Sequence, residues 1–394
     1  LTAVAAAAEP AAPHAVRGGG LSTWFNRLVA SPAFQARTAR IPFLRGLARA
    51  EGAALFDLAQ GFVRSQALQA LVALRVPRIL LDGPADVETL AARCAAPVER
   101  MATLLRAGAA MGLLRRRRDG RFRLTIRGAA LMGAPGLEGM ILHHRVLYGD
   151  LADPAAFVRG QTDPELARFW PYVFGAGAAT DPAAAERYSR LMTDTQALVA
   201  ADALRLIDLS GVSRLMDVGG GTGAFVEAAA AARPALALTL FDLPPVAEAA
   251  AARLAGIGLS DRVDIVPGSF RDDPLPRGAD AVSLVRVLYD HADETVRALL
   301  RAAFDALPPG GRLFVAEPMS GGDRPDPVTD VYFAFYCMAM RTGRVRSGAE
   351  IAALLREAGF VEVAHRRGDR PYVASVVVGR RPQENGSTTQ LAVN

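Results

Sequence analysis

The sequence predicts an α/β chain, with a Rossmann-like parallel sheet in the C-terminal half behind a mostly helical N-terminal half that holds a winged helix. Three observations carry that expectation. From Val212 onward, short apolar strands alternate with alanine-rich helices, the pattern of a parallel sheet covered on both faces. The first of those strands runs directly into a glycine-rich loop. Upstream, two helical stretches and a short break lead into a hairpin that carries four consecutive arginines, the order of a winged helix.

With 394 residues, 51% of them hydrophobic, the chain can fill more than one core. Its formal charge is +5, and because no lysine occurs, all 45 basic residues are arginine. Lysine Schiff-base chemistry is thereby excluded. Cys94 and Cys337 cannot build a disulfide framework, and no cluster has metal-ligand spacing, so no metal is expected. A reducing, cytoplasmic setting fits these counts. Arginine or proline interrupts every apolar run before it could span a bilayer, which leaves a soluble chain or one peripheral to the inner or an intracytoplasmic membrane.

Taken in order, residues 1–20 read as a disordered Ala/Pro/Gly leader. Trp24 to Arg49 mixes Trp24, Phe25, Phe34, Ile41, Phe43 and Leu47 with five arginines. Two readings stand: an arm that packs on a partner subunit, and an interfacial segment that touches a membrane. Leu55, Leu58, Phe62, Leu68, Leu71 and Val72 recur with helical period. A helix from Asp86, a break at Pro97 and a helix from Val98 to Met111 follow, and Gly112 stops the last of these. Arg115–Arg118, a turn at Asp119-Gly120 and a strand through Phe122, Leu124 and Ile126 complete the wing. Glu99, Arg100 and Arg106 are a poor set for reading bases, so a dimerisation and lid role is favoured over nucleic-acid binding. The first domain is therefore set at 21–136 and a helical linker lining a pocket at 137–204. The sheet domain is set at 205–380 and a loose tail at 381–394. Strands are expected at Arg214–Val218, Ala237–Asp242, Arg262–Val266, Ala281–Val287 and Arg312–Glu317, with a closing hairpin of Val361–His365 and Tyr372–Val378.

The loop after the first strand reads Asp217-Val-Gly-Gly-Gly-Thr-Gly223. Glycines there let the backbone turn sharply and approach a ligand. About twenty residues on, a second strand ends at Asp242, where a carboxylate can take both hydroxyls of a ribose. The glycines alone also satisfy a dinucleotide pattern. Asp217, placed to meet an amino group, and Phe270 after Gly268-Ser269, placed to pack on an adenine, favour S-adenosylmethionine over a nicotinamide.

Beyond these features the chain resembles the large O-methyltransferase family that includes plant caffeate and acetylserotonin enzymes. The words that carry this are Asp217-Val-Gly-Gly-Gly-Thr-Gly, Phe241-Asp-Leu-Pro, Leu288-Tyr-Asp-His-Ala-Asp, Pro308-Pro-Gly-Gly-Arg-Leu, Ala316-Glu-Pro and Ala358-Gly-Phe. Ser31-Pro-Ala-Phe-Gln, Arg286-Val-Leu-Tyr-Asp-His, Glu317-Pro-Met-Ser-Gly-Gly and Tyr332-Phe-Ala-Phe-Tyr are similar to the carotenoid branch, which acts on the tertiary hydroxyl of acyclic carotenoids. The resemblance implies a class I methyltransferase domain, a homodimer, and a cofactor held by Met192, Gln196, Asp217, Gly219, Gly221, Asp242, Leu243, Gly268, Ser269, Phe270 and Arg286. It also marks departures: Tyr289 stands where many relatives carry a histidine base, Val345 where they carry a second glutamate, and Ser269 where an aspartate is common.

From the residues present, His291, oriented by Asp290 or Glu317, is the expected proton acceptor, with Tyr289 holding the acceptor oxygen. His143, His144, Tyr172, Phe174, Phe333, Tyr336 and Met340 are expected to line the acceptor pocket. Two alternatives stay open on sequence: an aromatic-polyketide or tetrapyrrole acceptor on the same scaffold, and a winged-helix regulator with a nucleotide-sensing domain.

Overall fold

The computed structural model describes residues 21–38, 40–169 and 195–383, excluding the Phe169 side chain. These residues fall into two compact units, divided between Leu68 and Gln69. The first holds helices α1 (Leu21–Val29), α2 (Pro32–Thr38) and α3 (Pro42–Ala59). Pro32 and Pro42 each open a helix, where a missing N–H costs nothing.

The second unit begins inside α4 (Gly61–Ala73) and continues through α5 (Val76–Leu81), α6 (Val87–Arg93) and α7 (Val98–Ala110). Asp86 caps α6 by accepting from the Thr89 amide. The wing is β1 (Leu114–Arg116) paired antiparallel with β2 (Phe122–Leu124). Ile126, expected on the strand, instead opens α8 (Ile126–Gly133), because the Thr125 side chain accepts from Gly128 N and starts a helix there. Leu71, Leu90, Met101, Leu105, Leu114 and Phe122 form the core of this module. α9 (Leu137–Asp150), α10 (Pro154–Val158) and α11 (Glu165–Phe169) follow, then α12 over 195–206. The Trp170–Phe174 part of the expected aromatic cluster lies outside the described residues.

The sheet has seven strands in the order β5-β4-β3-β6-β7-β9-β8. Across the sheet, β5 (Val263–Pro267), β4 (Ala237–Asp242), β3 (Arg214–Val218), β6 (Ala281–Val285) and β7 (Arg312–Glu317) are successive parallel neighbours. β9 (Ser375–Arg380) runs antiparallel between β7 and β8 (Val361–Arg366), so the expected closing pair does lie at the far edge. α13 (Ala224–Ala232), α14 (Pro244–Gly256), α15 (Asp293–Ala306) and α17 (Gly348–Glu357) connect the strands, and α16 (Ala334–Met340) precedes α17. β6 stops at Val285, two residues short of expectation, because Arg286 turns into the left-handed region at φ 58°. The chain reverses at β3, from which β4 and β6 depart on opposite sides. Open sheets bind ligands at such a point, beyond the carboxyl ends of the strands. Among the described residues no helix is long and apolar enough to cross a membrane.

Candidate active site

Five strand ends supply the site. After β3, Gly219, Gly221 and Gly223 all adopt positive φ, at 69°, 58° and 84°, a run that side-chain-bearing residues would strain to follow. Contacts enforce it: a Cβ on Gly219 would sit 2.9 Å from Val287 Cγ2, whereas nothing lies within 4 Å of one on Gly221. The loop is tied to β4, since the Gly219 amide donates to the Phe241 carbonyl and the Gly221 amide to Asp242 Oδ2 (2.7 Å). Asp242 Oδ1 accepts from Leu243 N (2.7 Å). Burial raises the Asp242 carboxyl to about 6 against those two amides. Each oxygen keeps a lone pair for a hydroxyl donor.

Asp217, next to last in β3, is almost fully buried. Oδ1 accepts from Ser283 Oγ (2.6 Å), and Oδ2 has no protein partner. Burial lifts its carboxyl to about 7 despite Ser283, with Asp242 adding to the rise. Gln196 Oε1, on α12, is a second buried acceptor without a partner. Leaving such acceptors unmade costs free energy, so both fit a donor that arrives from outside the chain. On these observations the residues fit an amino-acid-bearing adenosyl cofactor. Met192 lies outside the described residues.

Beyond β5, Gly268 packs under Phe241: a Cβ would stand 2.6 Å from the ring. The Ser269 hydroxyl is already engaged with Asp272 Oδ2 (2.9 Å). Phe270 meets the His291 ring edge-on, centroids 5.2 Å apart.

The turn from Leu288 to Asp293 is clamped from two sides. Glu317, fully buried at the end of β7, accepts the Leu288 and Tyr289 amides on Oε2 (3.0 and 3.3 Å), and its Oε1 has no partner. Burial brings its carboxyl to about 7, with Arg346 opposing. Arg346, also fully buried, donates to the Leu288 and His291 carbonyls (2.8 and 2.9 Å) and to Asp293 Oδ1 (2.6 Å). Thr342 Oγ1 donates to the Asp290 carbonyl (2.9 Å), and Gly343 packs so closely that a Cβ would lie 1.9 Å from Tyr289 O. Arg286 donates through Nε and Nη2 to the Tyr289 hydroxyl (3.1 and 2.9 Å). Burial holds that phenol well above its ordinary range, against the Arg286 charge. Asp290 Oδ1 is buried without a partner, and its carboxyl is likewise pushed far up, first by burial.

His291 differs from expectation. Neither Asp290 nor Glu317 bonds its ring. Nδ1 faces the Arg271 guanidinium at 3.1 Å, and a guanidinium can only donate, so Nδ1 accepts and the imidazole proton belongs on Nε2. Burial, then Arg271 and Arg346, bring its pKa to about 4.

Opposite the turn, His143 Nε2 pairs with the Tyr336 hydroxyl (2.9 Å) and His144 Nε2 with the Tyr332 hydroxyl (2.8 Å). Tyr332 packs on Phe333 (5.0 Å), and Phe333 on Tyr289 (6.5 Å). The structure therefore brings His143, His144, Phe333 and Tyr336 together with the turn. Met340 is wholly inside a cluster with Leu147, Leu166 and Tyr336. Tyr172 and Phe174 lie outside the described residues.

Residues 148–361 match the model of the O-methyltransferase domain, and residues 56–133 that of the O-methyltransferase dimerisation domain. The chain belongs to the O-methyltransferase family. This methyltransferase is 60% identical to demethylspheroidene O-methyltransferase of Cereibacter sphaeroides, over 94% of its own length and 98% of that protein's. Against the enzyme of that name from Rhodobacter capsulatus the identity is 50%, over 92% and 90%. Among solved structures, human N-acetylserotonin methyltransferase in complex with SAM superposes with a TM-score of 0.72 at 25% identity, covering 84% of this chain and 98% of that one. Mitomycin 7-O-methyltransferase MmcR gives 0.72 at 28%, over 86% and 99%. The dimerisation match covers the helices and wing read above as a winged helix, which removes the regulator alternative.

Four residues of this methyltransferase escaped the sequence reading: Ser283, Arg346, Arg271 and Tyr332. Ser283 had a signal, the lone polar residue inside the apolar run Ala281–Val285. Tyr332 had another, standing four residues before Tyr336 and so on the same helical face. Arg346, one of three arginines in Arg341–Arg346, looks no different from its exposed neighbours.

Proposed function

We propose that this O-methyltransferase acts as a homodimer and uses S-adenosylmethionine to methylate the tertiary hydroxyl of an acyclic carotenoid. The observation that carries the reading is the 60% identity, across nearly the whole of both chains, to a demethylspheroidene O-methyltransferase. The apolar, aromatic wall of Tyr332, Phe333, Tyr336 and Phe335 beside the Tyr289 turn supports an acceptor that gains chiefly by burial, at about 25 cal/mol per Å². The match to a dimerisation domain supports the homodimer.

On this reading Asp242 and the Gly219–Gly223 loop hold the ribose, with Leu243 and Gly268 beside it, and Asp217 Oδ2 and Gln196 Oε1 take the amino-acid end. Phe270 flanks the adenine, and His291, edge-on to Phe270, joins that wall and gives up the role of base. When bound, the cofactor supplies an electrophilic methyl group on a sulfonium whose thioether leaves readily. Tyr289, accepting twice from Arg286, keeps its own hydroxyl proton to donate to the acceptor oxygen and orient it. An unactivated alcohol scarcely ionises at neutral pH, so its proton leaves with or after the methyl transfer, and a weak acceptor suffices. Asp290 Oδ1, buried and without a partner, is the atom proposed to take it. Alignment and water exclusion then carry most of the rate, about 7–11 kcal/mol in favourable cases. An apolar acceptor stored in a bilayer also calls for contact between the enzyme and a lipid surface, and the arm over 21–50 is proposed for that role.

The test is incubation of purified enzyme with S-adenosylmethionine and a panel of hydroxylated carotenoids, phenols and chlorophyllides, with products resolved by mass. Methylation confined to the carotenoid alcohols is expected. Preferential methylation of a phenol or chlorophyllide would replace the substrate assignment and leave the family intact.

A further inference from the structure

We infer that residues 21–50 form a docking surface for anionic lipid bilayers. This stretch contains Arg27, Arg37, Arg40, Arg45 and Arg49 and no acidic residue at all. The whole chain carries a formal +5, so the arm accounts for the entire net charge and the remaining arginines and acids balance. The same stretch carries the exposed rings of Trp24, Phe25 and Phe43.

Those side chains are sorted by helical geometry. In α1, Leu21, Trp24, Phe25 and Leu28 fall at i, i+3, i+4 and i+7, one face of a helix, while Ser22, Thr23, Asn26 and Arg27 take the other. Trp24 is 64% exposed. In α3, Phe43 (95% exposed) and Leu47 share a face, and Arg45 and Arg49 lie on the opposite one at 100° per residue. A tryptophan and phenylalanines on one side with arginines on the other make the pattern of a helix lying in a membrane interface.

Two facts argue against a second copy of the chain as the occupant. The stretch precedes the dimerisation match, which begins at residue 56. An isologous contact between two arms would also set five arginines against five, with no acid on either side. An anionic headgroup layer supplies the missing counter-charge, and its acyl boundary takes the apolar faces.

The experiment is flotation of the full-length enzyme with vesicles of phosphatidylcholine alone and of phosphatidylcholine mixed with phosphatidylglycerol, at low and high salt. No carotenoid or cofactor is present, so the result is independent of the substrate reading. The enzyme is expected to float with the anionic vesicles at low salt, to stay behind with neutral ones, and to be released by salt. Joint Arg27→Gln, Arg45→Gln and Arg49→Gln should weaken binding by about tenfold or more. Joint Trp24→Ser, Phe25→Ser and Phe43→Ser should do the same, with the mass in light scattering unchanged. Failure to float, binding that neither variant alters, or loss of binding together with a change in oligomer mass would each overturn the proposal, the last by making the arm a subunit contact.

Discussion

The glycine loop after β3 and the turn from Leu288 to Asp293 sit at neighbouring strand ends, yet they are held by opposite means. The loop shapes itself: three left-handed glycines within five residues set its course, and one carboxylate, Asp242, ties it to the next strand. The turn is shaped from outside. Glu317 takes its amides and Arg346 its carbonyls, the latter reaching back from more than fifty residues away. Local backbone chemistry can be read in a window of a few residues, whereas a clamp assembled by tertiary packing cannot. Substitutions should separate the two constructions: damage to the loop should appear as lost ligand affinity, damage to the clamp as lost stability of the protein.

The largest effect is expected at the clamp. Arg346→Ala strands the Leu288 and His291 carbonyls and one face of Asp293 in a space the guanidinium had filled. Removing one partner of a buried ion pair costs about 3–5 kcal/mol. Because Asp293 keeps some solvent, about 3 kcal/mol is expected in urea unfolding of the ligand-free enzyme. Arg346→Lys should recover only part, since a single ammonium cannot span three acceptors in the plane of a fork. A variant as stable as the wild type would show that the turn holds itself.

That asymmetry also explains what the sequence could and could not convey. The succession of strands along the chain, the loop and Asp242 are readable because short apolar runs and glycine spacing are local signals, and β3, β4 and β7 begin and end where expected. Ile126 was misplaced for a local reason as well: a Thr125 cap three residues before Gly128 outweighs the alternation that continues the strand. The role of His291 was different. Its position at the strand edge is evident in sequence, but its partner is Arg271, twenty residues upstream, and only the fold reveals that Phe270 and Arg271 flank it. Burial is likewise invisible in a string of arginines, which is why Arg346 passed unnoticed.

At the loop, Gly219→Ala must hold φ 69° with a Cβ 2.9 Å from Val287 Cγ2. Left-handed backbone costs an alanine about 1–2 kcal/mol, so affinity for S-adenosylmethionine by calorimetry should fall roughly 10- to 100-fold once the contact is added. Val287→Ala in the same chain removes the clash but not the backbone cost, so it should restore affinity only in part. Full restoration would mean that the dihedral is not the constraint.

Tyr289→Phe falls between the regions, because it spares both clamps and deletes one hydroxyl. Arg286 then loses one acceptor, and the acceptor alcohol its proposed donor. A turnover loss of roughly tenfold is expected for a hydrogen bond worth about 1–1.5 kcal/mol, with cofactor affinity nearly unchanged. His291→Ala should give the reverse split, weaker cofactor binding with turnover largely kept. Were both variants to lose turnover and keep affinity, His291 would return to the acceptor side.

The smallest effect is a slope against pH. Asp217 has its carboxyl raised from an ordinary 3.8 to about 7 by burial. A raised acid stabilises the fold fully below its unfolded value and loses that contribution as pH climbs through the folded one. Ligand-free stability should therefore decline between about pH 4 and pH 7, and Asp217→Asn should flatten the decline without abolishing it, since Glu317, also raised to about 7, shares the sign. His143 and His291 oppose the trend over the same window: both are lowered from 6.5 to about 4, so their contribution is whole above 6.5 and fades as pH falls through 4. Cofactor affinity separates the groups. An ammonium beside Asp217 Oδ2 binds best to the carboxylate, so affinity should rise with pH and level off above about 7 in the wild type. In Asp217→Asn it should be lower and nearly flat. An unchanged pH profile in that variant would remove the partnerless carboxylate oxygen from the cofactor site and leave the glycine loop to hold the ligand without it.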